Sequence, residues 1–403
     1  MVGARTWSEA DGTSHKAITR AEAAETHSCH VSSGSGLETY AQLCSHGVLS
    51  PAQSIAWMEA WAAHVNPDYV VATIFSGCKP IFGLALEVTR SGPFKIARFM
   101  GGKHANGNFP AVTPGFAKSA SAVDFQALFK SIREARPDID IIALERMVDD
   151  FEGTPNPLKA LPHSVSPNLS LELDLDPGFP SIIGRSKSLR SKHRSQLRKF
   201  EEAGGHRRIE ATTPDEVETV LREFFRQKEI RLKKMGLANV FENPRVRGFF
   251  SALFTGALGQ EKPAFVLHAL EVGGKLRAIS GSSRSRERIA CDLVSMAEDD
   301  LMTLRPGEFL FYENIREAAE QGLKVYDFGV GDETHKRRWC DVEIRHFDVI
   351  APLGLKGHVF AGSLRAKNRL MSVVRSNPTL WKTVKNLRRR MAGEKPAAAE
   401  QDH

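Results

Sequence analysis

Apolar positions first recur at helical spacing at Ile55, Trp57, Met58, Trp61 and Val65. Ser50-Pro51 precedes this run and Asn66-Pro67 follows it, which predicts an amphipathic helix with a start and a stop. The pattern then changes to short runs rich in β-branched residues, Tyr69–Phe75, Pro80–Val88 and Phe94–Met100, which read as three strands with a turn at Ser76-Gly77. Ala122–Ala135 returns to helical spacing and is closed by Arg136-Pro137. Ile139–Leu144 is short and continuously apolar, as a buried strand should be.

The second half repeats this order. A basic helix over Ser188–Ala203 ends at Gly204-Gly205, and a long helix over Pro214–Met235 stops at Gly236. Strands follow at Phe265–Val272, Lys275–Ser283 and Arg288–Met296, the first two joined by Gly273-Gly274 as a tight hairpin. Helix Gly307–Gln321 and strand Lys324–Phe328 complete the unit. The prediction is a duplicated α/β unit with mixed sheets, in which antiparallel strands feed a helix and a parallel partner strand. Residues 1–35, polar and without sustained periodicity, are expected to be a mobile leader. Four regions result: the leader, a first unit over 36–180, a second over 181–355 that begins with the basic helix, and a basic amphipathic helix and tail over 356–403.

A length of 403 residues allows two cores, and 41% hydrophobic with 26% charged residues is ordinary for a globular protein. The apolar runs are far shorter than the roughly 20 residues that cross a bilayer, and the N-terminus lacks the apolar core of a secretory signal. Five scattered cysteines, never spaced C-x-x-C, indicate neither a disulfide framework nor a zinc site, so no metal is expected and a reducing, cytoplasmic setting fits. The net charge of +7 is unevenly distributed. Arg185–Lys199 and Lys356–Arg390 hold many Lys and Arg and no acid, so the remainder of the chain is acidic.

Candidate chemistry concentrates in Leu301–Trp339. Pro306 and Gly307 stand where a strand hands over to a helix, with proline suited to the first turn and glycine opening the backbone to a ligand. The N–H groups of Gly307, Glu308 and Phe309, with Arg305 beside them, would bind an anion such as a pyrophosphate. One glycine after the helix, Tyr326-Asp327-Phe328-Gly329 leads into a polar turn and a second short helix carrying His335, Lys336 and Trp339. Two helix starts at neighbouring strand ends define a crevice. Asp332 is expected to cap the second helix, and Asp327 to act as a cap as well.

The order Pro306-Gly307, helix, Gly322, strand ending Asp327-Phe328, then Gly331-Asp332-Glu333 with Lys336 and Trp339, resembles the GNAT-type acetyltransferase family labelled CelD/BcsL. Ser54 to Trp61 and the basic helix Ser191–Gly204 match that family's opening and its helix before the transferase half. The resemblance implies two tandem GNAT-like (acyl-CoA N-acyltransferase) units, distantly Fem-like, with acetyl-CoA or another acyl-CoA as co-substrate held at the helix that starts at Gly307. His335 replaces the family's usual tyrosine before the signature lysine, here Lys336, and the better-known Gly-rich GNAT phosphate loop is missing.

Acyl transfer to an amine needs a neutral amine, a polarised thioester carbonyl and a proton for the leaving thiolate. Asp292, on the strand that would face the thioester, is the candidate base. Lys336 is placed to hold a phosphate or carboxylate of the acceptor, and His335 to move a proton. The plainer alternatives are a solvent-facing strand carboxylate, a solvated lysine and a surface histidine without a role. The expected acceptor is a polar small molecule or saccharide amine, such as an amino sugar of polysaccharide or cell-envelope synthesis. The basic helices also suit peripheral contact with a membrane surface, whereas neither has the aromatic pattern of a nucleic-acid reader. Two further hypotheses stand beside this one: an aminoacyl-tRNA-dependent ligase of the Fem-like type, and a non-catalytic GNAT scaffold.

Overall fold

The computed structural model describes residues 27–33, 36–105, 107–185, 187–363 and 366. In the first half the chain runs β1 (His27–Ser33), α1 (Leu37–His46), α2 (Ile55–His64), β2 (Tyr69–Ser76), β3 (Lys79–Ser91), β4 (Phe94–Phe99), β5 (Ala111–Val112), α3 (Pro114–Ser119), α4 (Ala122–Ala135) and β6 (Ile141–Met147). A small hairpin of β7 (Asp150–Phe151) and β8 (Thr154–Pro155) precedes β9 (Ser164–Asp174). The second half contains α5 (Phe179–Gly184), α6 (Lys187–Glu202), β10 (His206–Glu210), α7 (Pro214–Lys234), α8 (Pro244–Gly256), β11 (Phe265–Val272), β12 (Lys275–Arg284) and β13 (Arg288–Met296). It ends with α9 (Pro306–Glu320), β14 (Val325–Val330), α10 (Thr334–Arg337) and β15 (Val342–Pro352).

Among the described residues one 13-stranded sheet runs through both units in the order β1-β2-β3-β4-β6-β15-β9-β14-β13-β12-β11-β10, with β5 beside β3. Its neighbours are antiparallel except for β4 with β6 and β13 with β14. The mixed α/β architecture of two similar units is therefore as the pattern of the sequence predicts. A division near residue 180 does not separate the sheet, because the units exchange their last strands. β9, from the first half, pairs with β14, and β15, from the second, pairs with β6; β9 and β15 then pair with each other.

Adjacent residues on one strand enter opposite cores, as the two-residue period of a strand requires. On β12, Ala278 packs with Phe309 and Leu310 of α9, whereas Ile279 packs with the core of α7 and α8. On β2 and β3, Val70 and Leu84 face the core under α4, whereas Val71 and Ala85 face α1 and α2. One side of the sheet thus carries α4 and α9. The other carries α1 and α2 of the first unit and α7 and α8 of the second, joined where Trp57 and Trp61 each meet the ring of Phe249 edge-on at 4.9 Å.

Part of the expected leader is structure. Residues 27–33 form β1, which pairs along its whole length with β2, because alternate residues of this otherwise polar segment, Cys29 and Val31, reach the α4 core. Residues 1–26 lie outside the described residues. Of the expected C-terminal helix, residues 355–363 are helical, and the rest of that prediction, apart from residue 366, falls outside them. Among the described residues no helix is long and apolar enough to cross a membrane.

Candidate functional site

The opening in the second unit follows from its strand register. β13 and β14 pair in parallel at only three positions, Arg288 with Val325, Ile289 with Tyr326 and Ala290 with Asp327, and then part. At the point of parting the β12–β13 ladder slips: Ser282 pairs with Cys291 and Gly281 with Leu293, so Asp292 is the extra residue of a β-bulge. A Cβ at Gly281 would come within 2.8 Å of the Phe254 ring and 3.1 Å of Leu293, so this close approach requires glycine. Burial raises the Asp292 carboxyl to about 7, and the charge of Asp327 pushes it the same way, against hydrogen bonds from Ser283. A carboxyl poised near neutrality at a strand bulge can exchange a proton with a bound amine.

Gly307 stands beside this opening, since a Cβ there would lie 3.4 Å from the Met296 sulfur at the end of β13. The first turn of α9 is narrower as an anion site than the sequence predicts. Arg305 adopts a left-handed conformation at φ 55°, and its carbonyl accepts the N–H groups of both Glu308 (3.0 Å) and Phe309 (3.4 Å). Gly307 is left as the amide of that turn without an acceptor among the described residues. The Phe309 side chain is buried against Phe200 and stacks on His193 at 4.7 Å, so it is a core residue. Glu308 places a carboxylate in the first turn, where Lys192, Arg305 (3.2 Å) and Arg338 (2.9 Å) gather on it. Three cations at a helix start are a fit for a diphosphate, with Glu308 holding them meanwhile.

The second short helix is turned inward. The Lys336 ammonium donates to the carbonyls of Val330 (3.0 Å) and Gly329 (3.4 Å) and pairs with Glu333 at 2.9 Å. It clamps the turn after β14, and is not the solvated group the sequence allowed. His335 lies parallel to the Phe311 ring with centroids 6.1 Å apart, and burial lowers its pKa, which favours the neutral ring at pH 7. Asp332 does not cap α10: its carboxylate takes the Arg337 guanidinium at 2.5 Å, and the N-cap position belongs to Glu333. Asp327 does close a turn, accepting the Gly329 N–H at 2.7 Å.

Sequence reasoning passed over the buried pair beside Asp327. The Arg288 guanidinium lies 2.6 Å from Glu172 and 3.8 Å from Asp327. Burial, then the Asp327 charge, raises Glu172 to about 7, with Arg288 opposing. The signal missing from the sequence is pairing: Glu172 is on β9 and meets β14 only through the exchanged strand. A further group with metal-ligand spacing, Glu210, His268 and Glu317, has its donor atoms within 4.8 Å of one another, but Arg208 already pairs with Glu317 and with Asn314.

The first unit shares the parting of a parallel pair, β4 from β6 after three positions, but among the described residues it lacks the bulge beside it. Its β3–β4 ladder runs from Leu86–Phe99 to Ser91–Phe94 without a slip. The start of α4 is closed by Asp124, which accepts the Ser121 N–H at 2.9 Å.

Three antiparallel strands, a helix and a parallel strand that splays from its neighbour, twice over with exchanged last strands and with a bulge at the splay in the second unit, define a tandem GNAT architecture. Residues 187–337, which lie within the second unit, match the family model described as acetyltransferase (GNAT) domain. No curated protein matches the sequence. Among solved structures, FemX is similar at a TM-score of 0.55 and 12% identity, over 79% of this chain and 96% of that one. The C-terminal domain of a putative lysylphosphatidylglycerol synthetase from Agrobacterium fabrum gives 0.49 and 13%, over 82% and 94%. A tandem GNAT protein from the clavulanic acid biosynthesis pathway gives 0.44 and 13%, over 82% and 99%.

Proposed function

We propose that the chain is an acyl-CoA-dependent N-acyltransferase, with acetyl-CoA as the first donor to test and a polar amine as acceptor. The observation that carries this reading is the parting of β13 from β14 at the Asp292 bulge, next to the cation-ringed start of α9. Acyl-CoA supplies the activated thioester. Gly307 N–H, Arg305, Arg338 and Lys192 hold its diphosphate, and the bulge amide left out of register beside Asp292 donates to the carbonyl. Asp292 would take the proton from the incoming ammonium, so that the neutral amine attacks the thioester carbonyl; the C–N bond forms as the C–S bond breaks, and the second amine proton goes to the departing CoA thiolate, which leaves as the free thiol. Lys336 and His335 act at a distance, fixing the turn that borders the opening. The resemblance to the CelD/BcsL type makes an amino sugar of polysaccharide or cell-envelope synthesis the acceptor class to try first, in the cytoplasm.

Isothermal calorimetry with acetyl-CoA tests the donor: wild type binds and Gly307→Glu, which sets a carboxylate at the diphosphate position, does not. Absence of binding at millimolar acetyl-CoA sinks the reading. A second reading, transfer of an aminoacyl group from tRNA, is favoured by the exposed cations of α6, Lys187, Arg190, Arg194 and Lys199, for which no carboxylate partner is recorded among the described residues. It requires that charged tRNA bind with the steep salt dependence of phosphate contacts.

A further inference from the structure

The two units open towards each other. In the first, β4 and β6 pair in parallel at Ile96–Ile141, Ala97–Ile142 and Arg98–Ala143 and then part, as β13 and β14 do in the second. The open end of β14 reaches Ser170, in register with Val330, and the open end of β6 reaches Phe347, in register with Met147. Between these ends Ser170 Oγ and His346 Nε2 lie 3.1 Å apart. The floor shared by both openings is on the side of the sheet away from α4 and α9. Ala97 enters the α4 core, so its neighbour Arg98 is on that side, and Tyr326, Phe328 and Leu173 enter the α9 core, so Asp327 and Glu172 are on it too.

Along this floor acids outnumber cations at one end and two arginines stand at the other. The end around β9, β13 and β14 carries Glu172, Asp327 and Asp292, with Arg288 paired to the first two. The end around β4 and β6 carries Arg98, in cross-strand register with the buried Glu87, and Arg146, and neither of these two guanidinium groups has a carboxylate within 4 Å among the described residues. Arg98 Nε is buried without a hydrogen-bond partner, and so is Nδ1 of His346, a side chain only 1% exposed. Arg146 donates to the carbonyls of Gly102 and Lys103 (3.5 Å), and its own backbone is held at φ 57° while its N–H meets Asp348 at 2.8 Å. A left-handed non-glycine residue costs free energy and persists where the surroundings hold it for a purpose. Burial, then the charge of Arg146, drives both His104 and His346 down to about 4, so neither adds a proton or removes the positive field at neutral pH. Arg98 is itself half-buried, and an N–H of its guanidinium shut away from water without an acceptor costs free energy that an incoming anion would recover.

We propose that the acceptor is an amine that also carries an anionic group, a phosphate or a carboxylate, and that Arg98 and Arg146 bind that group while its amine lies at the acidic end of the cleft by Asp292. This rests on the acyltransferase reading of the second unit, but the anion site is measurable without it. Calorimetry on the full chain with inorganic phosphate and with acetate, each with and without saturating CoA, separates the two anion types. Binding of at least one anion to wild type is expected, weakened tenfold or more by Arg98→Gln and severalfold by Arg98→Lys, which keeps the charge but loses the paired N–H donors. CoA affinity should be the same in all three proteins. The proposal is overturned if wild type binds neither anion, or if both variants bind as wild type does; should Arg98→Gln not fold, Arg98→Lys alone decides. Loss of CoA binding in wild type would instead refute the transferase reading and leave the anion result standing.

Discussion

The guanidinium of Arg288 and the carboxylate of Glu172 meet at 2.6 Å across two strands from different halves of the chain, both almost fully shielded from water. Such a pair adds little net stability over a well-packed apolar one, but breaking it leaves an uncompensated charge. Arg288→Met should therefore lower unfolding free energy by about 3–5 kcal/mol at pH 8. The loss should shrink at pH 5, where Glu172, already raised to about 7 with its partner present, is protonated. Urea unfolding at the two pH values measures this; an equal loss at both would mean that packing of the Arg288 stem, not its charge, holds the strands.

Asp292 links stability and activity to pH in opposite directions. Its folded pKa of about 7 lies above the reference 3.8, so its neutral form is favoured by folding. That contribution is complete below about pH 4 and is lost as pH rises through 7, at up to about 1.4 kcal/mol per pH unit for one proton. Asp292→Asn should flatten the decline in stability over that window. Acyl transfer needs the carboxylate, so kcat/KM in the wild type should climb with pH to a plateau above about 7. The variant should lose this limb and roughly 10²–10⁴-fold in rate. A variant of undiminished kcat removes Asp292 from the chemistry.

Glu308 occupies the cations that a diphosphate would need. Replacing it by glutamine frees Lys192, Arg305 and Arg338 and removes a like charge from the helix start. CoA should then bind roughly 3–10-fold more tightly, an amount in keeping with charge effects of about 1 kcal/mol at a helix terminus. Weaker binding in titrations of Glu308→Gln would show that the carboxylate organises the site instead of competing for it.

How far the sequence reveals this molecule depends on where each element finds its partners. α2, α4, α7 and α9 announce themselves by apolar spacing and end signals, and β2–β4 and β11–β13 by hairpin turns, because these are local properties. β9, β10 and β15 escape notice for a physical reason. β10 is a charged edge strand, His206–Glu210, and β9 and β15 alternate apolar residues with polar ones that are themselves buried, Ser170, Glu172, His346 and Asp348, so neither reads as the apolar run of a core strand. α8 was readable, since Asn243 caps it at the N–H of Arg245 and Pro244 opens it, yet its phenylalanines are grouped more closely than a simple stripe. In the site, Gly307 was legible from Pro306-Gly307. The bulge at Asp292 was not, because a slip in register belongs to two strands and is invisible in either one. The inward turn of Lys336 likewise depends on carbonyls of Gly329 and Val330 that only the folded turn presents.

The strand exchange makes the two units interdependent, although each repeats the same order of elements. Residues 1–180 alone would lack β15, leaving the β6 edge unpaired and the α4 core without Phe347 and Val349. Residues 181–403 alone would lack β9, leaving β14 paired only with β13 and the α9 core without Leu173 and Leu175. An unpaired central strand with an apolar face is prone to association with other chains. Each fragment expressed by itself should therefore aggregate or unfold without a cooperative transition, whereas co-expression should yield a soluble one-to-one complex with the circular dichroism of the intact chain. Cooperative thermal unfolding of either fragment in isolation would show that the exchanged strand is an accessory to the unit it joins. Aggregation of both, rescued by mixing, would show that one folding unit spans the chain, and that the cleft between the two openings cannot be assembled from either half.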